Sequence, residues 1–327
     1  MTRTGQAFWF KSAGTGEIRA AEVPAPGLDE VLVRTLFSGM SRGTESLVLR
    51  GGVPESQREV MRAPFQEGDF PFPVKYGYLN VGRVEAGPSE LVGRTVFSLY
   101  PHQTEFVVPA SAVTVVPDDV PAARAILAGT VETAVNALWD AAPLVGDRIA
   151  VVGAGMVGSS VAGLLSRFPG ADVQLVDTDP AREKVAAAFG IRYVRPEDAE
   201  GDLDLVVHAS ATDAGLARSL ELLGREATVV DLSWYGDRRV SVPLGENFHS
   251  RRLTIRSSQV GTVSPARSAR RTYGDRMATA LRLLADPAFD VLVTGETAFA
   301  DLPDLISRLA GGDLPGLAHR IVYPLGT

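Results

Sequence analysis

The chain has 327 residues, of which 45% are hydrophobic and 22% are charged, values ordinary for a folded protein long enough for two domains. Its 32 Lys and Arg residues against 39 Asp and Glu residues leave a formal net charge of −7, which weighs against general nucleic-acid binding. The sequence contains no cysteine, which excludes disulfides, thiolate zinc sites and a cysteine nucleophile.

The sequence predicts neither a membrane-spanning nor an exported protein. Its apolar runs have the length of strands and are interrupted by charge, and the first residues are followed by no apolar signal-peptide core. We therefore expect a cytoplasmic protein that acts on a small molecule, with no membrane and no nucleic acid as partner.

The pattern of the first third of the chain predicts an all-β domain. Short β-branched runs are separated by Gly and Pro turns up to about Pro117. A polar, proline-bounded hinge follows at 117–121, and the apolar spacing after it predicts a helix over 122–142. The strands predicted in this part are 31–35, 82–85, 95–99 and 105–108.

The middle of the chain alternates strand with helix, which predicts a doubly wound parallel α/β sheet. The predicted strands are 149–152, 173–176, 205–208, 228–232 and 253–256, with helices that include 180–189 and 214–223. A helix at 275–285, a strand at 290–293, a helix at 302–310 and a strand at 318–322 complete the prediction.

A glycine-rich motif at 153–158 follows the first of these strands and opens a helix. Gly153 permits a tight turn, Gly155 lets the backbone approach a pyrophosphate, and Gly158 lets the helix pack closely on the sheet. The next strand ends in Asp177, at the spacing expected for an acid that binds the adenosine ribose. This combination predicts a dinucleotide-binding βαβ unit.

The residues around this motif indicate which dinucleotide is bound. The N–H groups at the start of the helix, at Met156 and Val157, can hold phosphate. Asp177 can accept hydrogen bonds from both ribose hydroxyls, and its charge repels a 2′-phosphate, so NAD is expected rather than NADP. Arg182, a few residues on, can soften that preference.

The whole chain resembles the medium-chain dehydrogenase/reductase superfamily. The passages that carry the resemblance are 38–45 (Ser-Gly-Met-Ser-Arg-Gly-Thr-Glu), 76–78 with 82–84, 133–137, and 146–148 leading into the glycine motif. The resemblance implies a GroES-like β-rich substrate domain at 1–120, a Rossmann domain at 121–261 and a return segment at 262–327 that completes the substrate domain. It also places Thr133 at the cofactor.

Within this superfamily the chain is similar to a zinc-less, alcohol-dehydrogenase-like branch that includes relatives of bacteriochlorophyllide hydroxyethyl dehydrogenase. Passages 100–103 (Tyr-Pro-His-Gln) and 257–261 (Ser-Ser-Gln-Val-Gly) carry that similarity. Where zinc-dependent members place their three catalytic ligands, this chain has Ser41 or Arg42, then Tyr78, then a position near Gly129. The expectation is a protein without zinc.

Without zinc, hydrogen-bond donors must stabilise charge on a substrate oxygen. Tyr78, at the position of a zinc-binding histidine, is the first catalytic candidate, although it can equally fill the vacated metal space. His102 is the second candidate, because histidine is a common general acid or base, but it can also be a surface residue. Ser41 can relay a proton, and Glu132, beside Thr133, can face the substrate or form a helix pair.

An arginine-rich segment at 251–276 has two readings. It can bind an anionic substrate or a cofactor phosphate, or it can be a mobile, solvated loop and helix start. Its arginines are Arg251, Arg252, Arg256, Arg267, Arg270, Arg271 and Arg276.

The leading hypothesis is a metal-free, NAD(H)-dependent oxidoreductase that interconverts an alcohol and a carbonyl compound. The alternatives are reduction of an activated C=C bond, as in quinone and enoyl reductases, and a catalytically inactive nucleotide-binding sensor. Superfamily members commonly pair through the edge strands of their Rossmann sheets, so the resemblance implies a homodimer.

Overall fold

A computed structural model describes residues 3–310 and 316–324. The chain divides into two compact units, each made of separate stretches of sequence. The first unit comprises Met1–Gly129, Leu281–Ala285 and Val293–Thr327, and the second comprises Thr130–Ala280 and Asp286–Leu292.

The strands follow the order of the chain. They are β1 (Arg3–Ser12), β2 (Thr15–Val23), β3 (Glu30–Met40), β4 (Glu67–Gly68), β5 (Val74–Lys75), β6 (Asn80–Ala86), β7 (Thr95–Ser98), β8 (Glu105–Pro109), β9 (Val113–Val115), β10 (Arg148–Val152), β11 (Asp172–Val176), β12 (Arg192–Val194), β13 (Leu203–His208), β14 (Leu223–Asp231), β15 (Thr254–Ser257), β16 (Val293–Ala298) and β17 (Ala318–Val322).

The α-helices are α1 (Arg42–Leu49), α2 (Ala122–Ala125), α3 (Ala128–Ala141), α4 (Met156–Leu165), α5 (Glu183–Phe189), α6 (Asp213–Leu222), α7 (Asn247–Ser250), α8 (Tyr273–Leu283) and α9 (Leu302–Ala310). Within the described ranges, no helix has the length and apolarity needed to span a membrane.

The first unit contains two sheets. A four-stranded sheet has the order β2-β1-β5-β4, and a seven-stranded sheet has the order β16-β17-β3-β6-β7-β9, with β8 also paired to β3. One apolar core joins Phe8 and Phe10 of β1 to Val48 of α1 and to Leu302 and Ile306 of α9. The C-terminal helix and strand thus pack on the N-terminal β-rich part.

The second unit is built on one six-stranded parallel sheet with the order β12-β11-β10-β13-β14-β15. Residues 149–152 of β10 are buried throughout, which suits a central strand covered on both faces. The chain builds outward from β10 to β12 and then returns to the other side of β10. This arrangement confirms the predicted doubly wound sheet and places a topological switch point beside β10.

Three predicted elements differ from the structure. The N-terminal part is not all β, because helix α1 occupies residues 42–49. At the start of this helix, the backbone N–H of Ser41 donates a hydrogen bond to the Glu45 carboxylate at 2.7 Å. The predicted helix 122–142 is two helices, since Leu127 bonds the carbonyl of Arg124 in a tightened last turn of α2. Residues 290–292, predicted as strand, belong to a 3₁₀ turn that starts at Pro287.

Candidate cofactor and active sites

The glycine-rich turn joins β10 to α4 at the carboxyl edge of the parallel sheet. Gly153 has a φ of +103°, and a Cβ there would lie 2.6 Å from the backbone nitrogen of Ser210. A Cβ on Gly158 would lie 1.9 Å from the carbonyl oxygen of Gly153. At Gly155, no described atom lies within 4 Å of the Cβ position. The fold therefore needs glycine at 153 and 158, whereas Gly155 leaves open the space that a pyrophosphate requires.

The start of α4 supplies the groups that hold phosphate. Met156 and Val157 are its first two residues, and Gly155 precedes them with no side-chain cap. Their N–H groups have no partner within the helix, and the helix dipole adds positive potential at this end. Together with the space at Gly155, these groups fit a dinucleotide pyrophosphate.

Asp177 lies at this turn, just after β11. Its Oδ2 accepts the N–H of Ala154 at 2.6 Å, and its Oδ1 accepts the N–H of Asp179 at 2.8 Å. Each carboxylate oxygen keeps a free lone pair for a ribose hydroxyl. Arg182, which the sequence suggested could weaken the preference for NAD over NADP, forms an ion pair with Asp179 at 3.2 Å. Its charge is therefore already paired with a carboxylate.

In the first unit, Tyr78 and Ser41 lie in direct contact. The Tyr78 hydroxyl donates a hydrogen bond to Oγ of Ser41 at 2.7 Å. Burial raises the pKa of Tyr78, and its hydrogen bonds to Ser41 and Thr44 oppose that rise without cancelling it. The side chain therefore carries its proton at neutral pH, so Tyr78 is suited to donate a hydrogen bond or a proton rather than to act as a base.

His102 is 1% exposed, which excludes the surface-loop reading. Its Nε2 lies 2.9 Å from a carboxylate oxygen of Glu45, itself fully buried, and its Nδ1 lies 2.6 Å from Oγ of Ser38. Ser38 also contacts the hydroxyl of Tyr323 at 2.9 Å. Because the second oxygen of the Glu45 carboxylate binds the N–H of Ser41, this buried network fixes the residue that contacts Tyr78.

The residues at the positions where zinc-dependent members of the resembled superfamily bind their metal do not fit zinc. Ser41 and Tyr78 offer hydroxyls already bonded to each other, and the Cβ position of Gly129 is blocked by Leu79 at 2.5 Å. Tetrahedral zinc requires three or four thiolate, imidazole or carboxylate ligands. Across 3–310 and 316–324, no group of three or more His, Cys, Asp or Glu residues could hold a metal ion.

Glu132 and Thr133 lie on α3 in the second unit, where Thr133 is half-buried. The Glu132 carboxylate accepts a hydrogen bond from Nε of Arg276 at 2.9 Å, and both side chains are buried. Burial raises the pKa of Glu132, and Arg276 opposes the rise. The Glu132 carboxylate thus forms a buried ion pair between α3 and α8, the arrangement of the helix-pairing alternative, and a catalytic role for Glu132 stays a prediction.

The same face of α3 binds much of the arginine-rich segment. Glu132, Asn136 and Asp140 are spaced by four residues and therefore lie on one side of the helix. Asn136 accepts hydrogen bonds from the backbone of Ser264 at 3.0 Å and from Arg276 at 2.6 Å. Asp140 accepts from Ser258 at 2.6 Å and Arg256 at 3.3 Å. Two of the seven arginines thus anchor the segment to α3, which contradicts the reading of a wholly solvated loop.

Several residues at these sites have no obvious signal in the sequence. Ser38 and Tyr323 are separated by 285 positions, and Asn136 and Arg276 by 140, so only the folded chain brings each pair together. Glu45 lies four residues after Ser41, one position beyond the Ser-x-x-Glu spacing of a capping box, so that signal does not identify it.

Comparison with known proteins agrees with this geometry. The family model of ketopantoate reductase PanE/ApbA matches residues 149–229, the part of the chain from β10 into β14. None of the curated proteins matches the sequence.

Solved structures match nearly the whole chain. Escherichia coli L-idonate 5-dehydrogenase has a TM-score of 0.81 and 16% identity, with 98% of this chain and 99% of that chain covered. Bacillus subtilis 2R,3R-butanediol dehydrogenase has a TM-score of 0.79 and 17% identity, with 98% and 100% covered. An E. coli alcohol dehydrogenase complexed with NADH has a TM-score of 0.76 and 16% identity, with 98% and 99% covered.

The chain has the fold of these dehydrogenases. Its first unit is the GroES-like β-rich domain and its second is the Rossmann domain with its doubly wound parallel sheet. At this level of identity the likeness concerns the fold.

Proposed function

We propose that the protein is an NAD(H)-dependent oxidoreductase that interconverts an alcohol and a carbonyl compound without a metal. The observation that carries the proposal is the glycine turn. Open space at Gly155 adjoins the free amides of α4 on one side and the Asp177 carboxylate on the other. One dehydrogenase with NADH bound and one dehydrogenase with NADP bound share this fold.

The bound nicotinamide supplies or accepts hydride, and residues of the chain bind the cofactor and stabilise the substrate oxygen. Asp177 binds the adenosine ribose and repels a 2′-phosphate, which favours NAD over NADP. Tyr78 donates its hydrogen bond to the substrate oxygen as negative charge develops there, with Ser41 as its partner before the substrate binds. The buried Glu45 carboxylate keeps Ser41 in position.

The cofactor assignment is tested by fluorescence titration with NADH and NADPH. Wild-type protein is expected to bind NADH more tightly than NADPH. The Asp177→Asn variant is expected to bind NADH more weakly and to lose most of the preference for NADH over NADPH. Asp198→Asn, a matched change on an exposed turn, is expected to change neither. Tighter binding of NADPH by the wild type would contradict the role given to Asp177.

The chemistry is tested with a panel of alcohols, aldehydes, quinones and enones, followed at the nicotinamide absorbance. Turnover of alcohols or aldehydes supports the proposal. Turnover of enones or quinones alone would replace it with C=C reduction or quinone reduction. Cofactor binding without any turnover would favour a sensor, and stoichiometric zinc in elemental analysis would refute a metal-free mechanism.

The proposed assembly is a homodimer joined at β15. This strand forms one edge of the parallel sheet, and all four of its residues are exposed, including Ile255. An exposed strand edge offers unpaired backbone groups to a second chain. Light scattering is expected to report a dimer for the wild type and a monomer for Ile255→Lys, whereas a monomeric wild type would end this proposal.

A further inference from the structure

One buried side-chain atom of the first unit lacks the partner that its chemistry requires. Within the part of the chain that the structure describes, Nε of Arg58 is the only buried side-chain nitrogen or oxygen that forms no hydrogen bond. Arg58 as a whole is half-buried, and no described carboxylate lies within ion-pair distance of its guanidinium. Buried polar and charged groups of folded proteins are almost always paired. This arginine is therefore suited to a partner that the described residues do not supply.

Arg58 lies on a short turn between α1 and β4. The N–H of Met61 bonds the carbonyl of Gln57 at 2.9 Å, so residues 57–61 form one helical turn. Positions three apart on such a turn share a face, which places Arg58 on the same side as Met61. Met61 packs against the apolar core of the first unit, and Tyr78 packs against the same core. The side of the turn that carries Arg58 thus faces the protein, which explains why Nε is buried.

The same turn lies beside the first catalytic candidate. The Met61 carbonyl lies 3.5 Å from the hydroxyl of Tyr76, and the rings of Tyr76 and Tyr78 meet edge to face with their centroids 6.0 Å apart. Tyr76 therefore bridges the turn that carries Arg58 and the residue proposed to bind the substrate oxygen. A substrate held at its oxygen by Tyr78 can extend toward this turn.

The chemistry of the unpaired group indicates an anionic ligand. A guanidinium is planar and permanently charged, and its parallel N–H groups match two oxygens of a carboxylate or a phosphate. The acids beside it in sequence, Glu55 and Glu59, are exposed and form no ion pair with it. Arg62, on the next turn position, is different, because it pairs with Asp69 at 2.7 Å. Arg58 keeps its side-chain donors for a ligand.

We propose that Arg58 binds a carboxylate or phosphate group of the substrate, so that the alcohol or carbonyl compound that reacts at Tyr78 is an anion. This inference rests on the proposed oxidoreductase function and names its substrate class. Arg58 contributes affinity and selects the charged substrate, and it takes no part in hydride transfer. A neutral substrate leaves the guanidinium unpaired, so the same contact discriminates against it.

The test is calorimetry on protein saturated with NADH, in which an alcohol binds without reacting. The ligands are linear primary alcohols in a series of chain lengths, each with a methyl, a carboxylate or a phosphate group at the far end. At the best length, the wild type is expected to bind a charged alcohol about 10–100-fold more tightly than its methyl-ended counterpart, the value of a charged hydrogen bond. Whichever of the two anions gains more identifies the group that Arg58 takes.

Substitutions on the turn assign the gain to one side chain. Arg58→Gln is expected to bind charged and methyl-ended alcohols equally, with the affinity for the methyl-ended alcohol unchanged. Arg58→Lys is expected to keep part of the gain, because an ammonium retains the charge but not the paired N–H groups. The matched control is Arg62→Gln, which is expected to keep the whole gain, since Asp69 already pairs with the Arg62 guanidinium.

A purely structural role for Arg58 makes a different prediction for stability. If a group of the folded chain paired with Arg58, Arg58→Met would remove that pair and lower the melting temperature. Because Nε is buried without a partner, Arg58→Met is instead expected to have an unchanged or higher melting temperature while the preference for charged alcohols is lost.

The outcomes separate this inference from the proposed function. Equal affinity of the wild type for charged and methyl-ended alcohols would overturn the inference, and so would a gain that persists in Arg58→Gln or a lower melting temperature of Arg58→Met. Binding of NADH without binding of any charged alcohol would also overturn the inference alone. A wild-type protein that binds neither NADH nor any of these alcohols would overturn the proposed function and this inference together.

Discussion

The carbonyl oxygen of Gly153 occupies the place where a side chain on residue 158 would begin, 1.9 Å from the Cβ position of Gly158. This contact is between backbone and backbone, so no rotation of a side chain can relieve it. The glycines of the turn consequently serve two separate purposes. Gly153 and Gly158 allow the turn to form, and Gly155 leaves room for a ligand.

That separation predicts opposite effects of two alanine substitutions. Gly155 has a φ of −71°, which alanine adopts freely, so Gly155→Ala is expected to fold with an unchanged melting temperature. Its Cβ enters the pyrophosphate space, and NADH affinity is expected to fall roughly tenfold. Gly158→Ala is expected to lower the melting temperature instead. Equal effects of both substitutions on stability would contradict this assignment.

Tyr78 is expected to act through its hydroxyl. Tyr78→Phe keeps the ring and removes the donor, so kcat is expected to fall about 100-fold with little change in NADH affinity. Tyr76→Phe is the matched control, because the Tyr76 hydroxyl makes a long contact with the Met61 carbonyl, at 3.5 Å. Since burial raises the pKa of Tyr78, the hydroxyl keeps its proton in neutral solution. An unchanged kcat in Tyr78→Phe would leave the residue as a space filler.

The ion pair between Glu132 and Arg276 is expected to contribute to stability, since Arg276→Met leaves a buried carboxylate without its partner. The expected loss in the free energy of unfolding is about 3–5 kcal/mol, measured in urea. Arg62→Met breaks the exposed pair with Asp69, at 2.7 Å, and is expected to cost about 0–1 kcal/mol. Similar losses in the two variants would show that burial of the first pair has no consequence.

Asp231 predicts a specific pH dependence of stability. Burial raises its pKa, the hydrogen bonds from His208 and Ser233 lower it, and the net pKa lies below the ordinary value. A lowered pKa in the folded state stabilises the protein above the unfolded pKa, about 3.9, and that contribution is lost as the pH falls toward the folded pKa. Asp231→Asn is expected to be less stable at pH 7 and to lose less stability between pH 5 and pH 3 in urea titrations. A wild-type slope in this variant would contradict the shift.

The glycine turn could be predicted from the sequence because the residues that form it lie close together in the chain. Gly153, Gly155, Gly158 and Asp177 fall within one βαβ unit, and the alternation of strand and helix around them predicts the sheet. The central strands and the last helix, 302–310, were predicted for the same reason, from the period of their apolar residues.

The polar networks could not be predicted in the same way. His102 stands on an irregular segment, and only the folded chain brings Ser38 and Glu45 to its two ring nitrogens. Glu132 pairs with Arg276, which lies 144 positions away in the sequence. Period and spacing describe which face of an element is apolar, and they carry no information on which distant polar groups meet.

The contacts that Glu132, Asn136 and Asp140 of α3 make have a consequence for the evolution of the chain. Glu132, Asn136 and Asp140 each form hydrogen bonds with a different residue in the stretch from Arg256 to Arg276. A deletion or insertion in that stretch would therefore move several donors and acceptors away from their partners at the same time. We expect its length to be constrained even where its side chains are solvent-facing, while exposed arginines such as Arg267 and Arg270 remain free to vary.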